Sequence, residues 1–189
     1  MKLPAFSLFE LLIVMAIIGL TATLAIFGFV SFQRTVTFSQ SVNEVLSVIK
    51  ETRNLAKSNT LPKDIVLNTT NTQTRVYAYN LSFRNNQLTR SLCYRTIGAT
   101  DTSWTCEPST AEQLKSSIYG DIEYVLSGGG CYDVLFESLT GDMKASTQAT
   151  TGNRISYSEV TCLFSVRHKL TGAVRPIEIN SVRNTYTPK

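Results

Sequence analysis

The sequence predicts an α+β chain: a long N-terminal helix, half membrane-spanning and half amphipathic, packed on an antiparallel β-sheet or sandwich head. Three observations carry that expectation. An uncharged apolar run extends from Leu11 to Phe32, an apolar stripe at helical spacing follows from Val42 to Ala56, and short strand-like segments alternate with turn residues beyond Pro62. The implied divisions are 1–5, a leader; 6–33, a transmembrane helix; 34–60, an amphipathic helix; and 61–189, a β-rich globular head.

The 189 residues suffice for one domain with an appended element. Only 17% of them are charged, and this low share has a local cause: the excess apolarity sits between Phe6 and Phe32. The rest reads as an ordinary globular sequence rich in Ser, Thr and Asn. The net charge of +4 is too mild to demand a nucleic-acid partner.

The run from Leu11 to Phe32 would rise ~33 Å as a helix, matching a hydrocarbon core of about 30 Å. The order of features around it is informative. A secretory signal peptide places a short apolar run before a small-residue cleavage site. Here the basic Lys2 and the small Ala5 precede Phe6, which opens a longer run. That order suits a cut ahead of the apolar segment, which then stays in the mature chain. Glu10 needs its own reason, because an ionised carboxylate in such a helix costs at least ~2.5 kcal/mol on insertion scales. The plain alternative is a side chain that snorkels to the membrane surface.

After Gln33 the pattern remains helical. Val42, Val45, Leu46, Ile49 and Leu55-Ala56 mark one face, and Asn43, Glu44, Ser47, Lys50, Glu51 and Lys57 fill the other. A continuous helix from Phe6 to about Ser58 would be ~80 Å long, with Pro62 a plausible stop.

Beyond Pro62, strands are expected at Ile65–Leu67, Arg75–Phe83, Gln87–Thr96, Ile122–Leu126, Tyr132–Phe136, Thr161–Val166 and Val174–Ile179. Val76, Ala78 and Asn80 alternate with Tyr77, Tyr79 and Leu81 as in a half-buried strand. Asn85-Asn86, Thr140-Gly141-Asp142 and Thr171-Gly172 read as turns, and Gly128-Gly129-Gly130 as a break between strands. The polar stretch Ala99–Glu112 reads as a surface loop.

Cys93, Cys106, Cys131 and Cys162 show no C-x-x-C spacing. An even number in a domain that follows a membrane segment points to two disulfides in an oxidising compartment. Three pairings are open. Cys93–Cys106 with Cys131–Cys162 is favoured, since the first would close a short polar loop and the second would tie two predicted strands; buried free thiols are the alternative.

The stretch Phe6-Ser7-Leu8-Phe9-Glu10-Leu11-Leu12-Ile13-Val14-Met15-Ala16-Ile17-Ile18-Gly19 resembles the type IV prepilin family almost residue by residue. The family signature is a short basic leader, a small residue, an aromatic at the new N-terminus and a Glu at the fifth mature position. Ala5, where the family usually has Gly, Phe6 and Glu10 occupy those positions. The resemblance implies cleavage between Ala5 and Phe6 by a prepilin peptidase, N-methylation of Phe6, and pairing of Glu10 with the Phe6 ammonium of a neighbouring subunit. It also implies a bacterial inner-membrane protein, single-pass, with an exported head, partnered by other pilin or pseudopilin subunits and acting as a structural subunit of a pilus or type II secretion pseudopilus.

The head is similar, more loosely, to the GspH/FimT group of minor pseudopilins and minor pilins. The residues that carry this are Glu51-Thr52-Arg53-Asn54-Leu55-Ala56-Lys57-Ser58-Asn59, Val134-Leu135-Phe136, Thr140-Gly141-Asp142 and Thr171–Asn180. In FimT-like minor pilins a C-terminal Arg-bearing segment binds DNA during uptake. Arg167, Lys169, Arg175 and Arg183 are the counterparts in charge here, although the family's Gly-Arg-x-Arg pattern is not matched. A solvated basic edge that blunts a terminal strand is the plainer reading.

Nothing in the sequence implies a cofactor, a metal or an enzymatic site. His168 is the sole histidine, set between Arg167 and Lys169, where a solvent-facing role is expected. The glycine triplet lacks the Lys-Ser/Thr of a phosphate loop. Asn68-Thr69-Thr70 and Asn80-Leu81-Ser82 match the short glycosylation pattern.

Overall fold

The computed structural model describes residues 8–58, 75–84, 87–97, 103–107, 112–114, 122–126, 130–148 and 152–189. Two compact units divide the chain, Met1–Gln40 and Ser41–Lys189. Helix α1, Leu8–Lys57, is the one element with residues in both.

In the first unit the described residues, from Leu8 on, form this helix. Its described side chains from Leu8 to Val36 are exposed, Phe29 by 65% and Leu20 by 66%. The helix is long and apolar enough to cross a membrane. Three of its threonine hydroxyls are satisfied internally: Thr21 Oγ1 donates to the Ile17 carbonyl, Thr23 Oγ1 to Gly19 and Thr35 Oγ1 to Ser31. Such i−4 bonds satisfy these three hydroxyl donors within the helix itself.

In the second unit the helix becomes one-sided. Val42, Val45, Ile49, Thr52 and Ala56 are buried at alternating steps of three and four residues. Leu46 and Leu55, expected on this stripe, are only half-buried, and Thr52 takes the central position instead. The reason is chemical: its hydroxyl donates to the Val48 carbonyl at 2.8 Å, so the side chain presents its methyl to the core at little polar cost.

The head has two antiparallel sheets. Its strands are β1 (Arg75–Arg84), β2 (Gln87–Thr96), β3 (Trp104–Cys106), β4 (Glu112–Leu114), β5 (Ile122–Val125), β6 (Asp133–Glu137), β7 (Met143–Ser146), β8 (Arg154–Ile155), β9 (Thr161–His168), β10 (Val174–Asn180) and β11 (Thr185–Pro188). A seven-stranded sheet runs β7-β6-β1-β2-β3-β8, with β4 also paired to β2; a four-stranded sheet runs β11-β10-β9-β5. The β1–β2 hairpin closes with Arg84 opposite Gln87. Gly141 and Gly172 take φ +68° in the turns joining β6 to β7 and β9 to β10, a conformation open to glycine without strain.

One face of the large sheet carries Leu81, Phe83, Leu88, Leu92 and Phe136 and meets the small sheet, where Phe83 stacks on Phe164 with centroids 4.1 Å apart. The other face carries a second, smaller core of Ala78, Cys93, Trp104, Cys106, Leu135 and Ile155, with Val76 and Tyr157 against it. Ala78 through Phe83 are therefore all buried, so β1 is covered on both faces rather than half-exposed. Trp104 corrects a second expectation. The stretch Ala99–Glu112 is not wholly a surface loop: β3 lies within it, Trp104 is 2% exposed, and β4 begins at Glu112. The cause is the Cys93–Cys106 bond, which holds β3 beside β2 and places the indole over the sheet.

β7, β8 and β11 are additional to the strands expected from the sequence, and Ile65–Leu67, Asn68, Asn85-Asn86 and Gly128-Gly129 lie outside the described residues.

Candidate assembly helix and charged faces of the head

Glu10 sits in the first turn of α1, exposed, and is the sole charged residue of the described helix before Arg34. The residues one helical turn onward, Ile13 and Val14, are apolar and each 45% exposed. The carboxylate thus projects from an otherwise apolar surface near a helix N-terminus, where the macrodipole favours negative charge. Its chemistry is limited and specific: it accepts hydrogen bonds, most favourably from a cation. Ala5 and Phe6 lie outside the described residues.

Of the three possible pairings, the structure forms Cys93–Cys106 and Cys131–Cys162. Cys93 and Cys106 face one another directly across β2 and β3, with Cα atoms 4.0 Å apart. Cys131, just ahead of β6, reaches Cys162 in β9 and so ties the large sheet to the small one. The Cys131 N–H also donates to the Leu163 carbonyl at 3.1 Å.

The basic residues of the C-terminal segment separate into two places. Arg167, Lys169 and Arg175 gather at the β9–β10 turn, where Arg167 pairs with Val174 in the ladder. Arg183 lies past the far end of β10, ~20 Å away along the strand at ~3.3 Å per residue. Arg167, Lys169, Arg175, Arg183 and Lys189 are all exposed; Arg167 is ion-paired with Glu123 and Lys189 with Glu178. His168 is not solvent-facing. Strand periodicity turns Cys162, Phe164, Val166 and His168 inward, leaving His168 3% exposed with its Nδ1 accepting from the Thr171 N–H at 3.3 Å.

A buried polar cluster lies on the face of the large sheet that carries Trp104. The Asp133 side chain, 1% exposed, forms an ion pair with Arg84 and accepts from Asn80 Nδ2 at 3.4 Å. Asn80 Oδ1 has no partner among the described residues. Asn80 is 2% exposed, which removes it as a glycosylation acceptor in the folded head. Nearby, the Tyr157 hydroxyl lies 3.7 Å from Cys106 Sγ. Burial pushes its pKa well above the ordinary value of 10.0, the Asp133 charge pushes it further, and Arg84 opposes both. No sequence motif signals this cluster, because its members come from β1, β6 and the segment after β8. Among the described residues, no group of three or more His, Cys, Asp or Glu could hold a metal ion.

The chain matches no protein-family model, and comparison with curated proteins and with solved structures finds no match.

Proposed function

We propose that this chain is a minor subunit of a type IV pilus or type II secretion pseudopilus, anchored in the bacterial inner membrane by the N-terminal half of α1. The observation that carries the reading is Glu10: one carboxylate on an exposed apolar helix. Cleavage between Ala5 and Phe6 would create an α-amino group, and Glu10 of one subunit would accept that cation from its neighbour. The disulfides support the exported placement of the head, since such bonds persist outside the reducing cytoplasm. The experiment is Glu10→Ala: membrane insertion is retained while recovery of the chain in sheared filaments falls. Recovery equal to the parent would remove the pairing role.

DNA capture is the second reading, favoured by the exposure of Lys169 and Arg175 at one hairpin end. It predicts a gel shift of short duplex DNA that weakens with salt and on neutralising Arg167, Lys169, Arg175 and Arg183. No shift at low salt would eliminate it.

A further inference from the structure

Arg75 and Arg95 occupy one end of the seven-stranded sheet on adjacent strands. Arg75 opens β1 opposite Thr96, and Arg95 stands one step back, opposite Val76. Each guanidinium lies over an aromatic ring, Arg75 4.4 Å from the Tyr94 centroid and Arg95 5.1 Å from that of Trp104. The Trp104 ring is buried in the smaller core and so is a fixed platform. Both arginines are half-buried, and among the described residues neither has a carboxylate at ion-pair distance.

A guanidinium held over a ring uses the ring for its charge and keeps N–H donors available to a ligand as a fork. Because the ring fixes the side chain, less rotamer freedom is lost when a ligand docks. The two forks flank the rim of the sheet from opposite sides: Arg75 shares the face of Tyr77 and Tyr94, and Arg95 shares that of Ala78, Cys93 and Trp104.

We infer that this rim binds an extended, carboxylate-rich segment of a partner protein. In an extended chain, successive side chains point to opposite sides, so two adjacent acidic residues crossing the rim present one carboxylate to Arg75 and the next to Arg95. A nucleic-acid strand is matched less well. Its phosphates follow a continuous track of cations on one surface, whereas these two lie on opposite faces.

The test is fluorescence anisotropy with the full chain in detergent micelles and a labelled hexaglutamate peptide, against hexaglutamine and a six-nucleotide oligothymidylate. Hexaglutamate is expected to bind and hexaglutamine not. Arg75→Gln/Arg95→Gln is expected to weaken binding about tenfold or more, the scale of charge-assisted hydrogen bonds. Arg75→Lys/Arg95→Lys, which keeps charge and loses the fork, is expected to weaken it similarly, and Arg175→Gln/Arg183→Gln to leave it unchanged. Parent-like binding by either Arg75/Arg95 variant overturns the proposal. So does tighter binding of oligothymidylate than of hexaglutamate that depends on the same arginines.

Discussion

The backbone N–H of Leu139 donates to the carbonyl oxygen of Ala56 at 3.0 Å, so the turn between β6 and β7 closes the end of α1. The last carbonyls of a helix have no partner within it, and here a strand turn supplies one. Arg53 Nε reinforces the junction by donating to the Gly141 carbonyl at 3.2 Å. Asn184 ties in the C-terminal hairpin, donating from Nδ2 to Asp142 Oδ1 at 2.8 Å and accepting from the Met143 N–H at 3.1 Å.

Gly141 is the tight point of that junction. It has φ +68°, and a Cβ there would come within 2.6 Å of Lys57 Cγ. Gly141→Ala is expected to destabilise the head by about 1–2 kcal/mol, chiefly through the left-handed backbone. Adding Lys57→Ala would restore only the part due to the clash. Urea unfolding measures both, and an unchanged midpoint for Gly141→Ala would refute the strained-turn account.

The Arg84–Asp133 pair makes a different prediction. Arg84→Met strands the Asp133 carboxylate at 1% exposure, and breaking a buried pair from one side costs about 3 kcal/mol. Arg84→Met with Asp133→Leu removes both charges and should recover most of the loss. A double-mutant cycle by urea unfolding checks the coupling, and additive losses would contradict it.

Tyr157 predicts an alkaline dependence. Burial, and then the Asp133 charge, hold its pKa well above 10.0 in the folded head. Below pH ~10 both states keep the proton, so stability is unaffected; above it the unfolded chain loses the proton first and stability falls, by up to about 1.4 kcal/mol per pH unit for this group. Tyr157→Phe should reduce the loss between pH 9 and pH 11. Parallel curves for parent and variant would show that the hydroxyl is not linked to folding.

Periodicity made parts of this fold legible. The β1–β2 and β9–β10 hairpins follow alternation and turn residues, and the helix stripe follows spacing in Val42, Val45 and Ile49. The sequence reading failed where long-range contacts decide burial. Trp104 sits among polar residues, yet the disulfide beside it carries it into the smaller core. His168 lies between two cations in sequence, and the pleat turns it inward. The arginines of the C-terminal segment are near in sequence, but β10 separates Arg183 from the others. Glu10 is conspicuous in the sequence as one carboxylate in an apolar run, and the structure places it exposed in the first turn of α1. Arg75 and Arg95 drew no notice in the sequence, twenty residues apart, until strand pairing set them side by side.

The proposed assembly role requires that the apolar helix begin at a free amine four residues ahead of Glu10. Mass spectrometry of the N-terminal peptide, from the protein recovered in cells with an active prepilin peptidase, tests this most directly. The expected chain begins at methylated Phe6. A chain still carrying Met1 through Ala5 would contradict it.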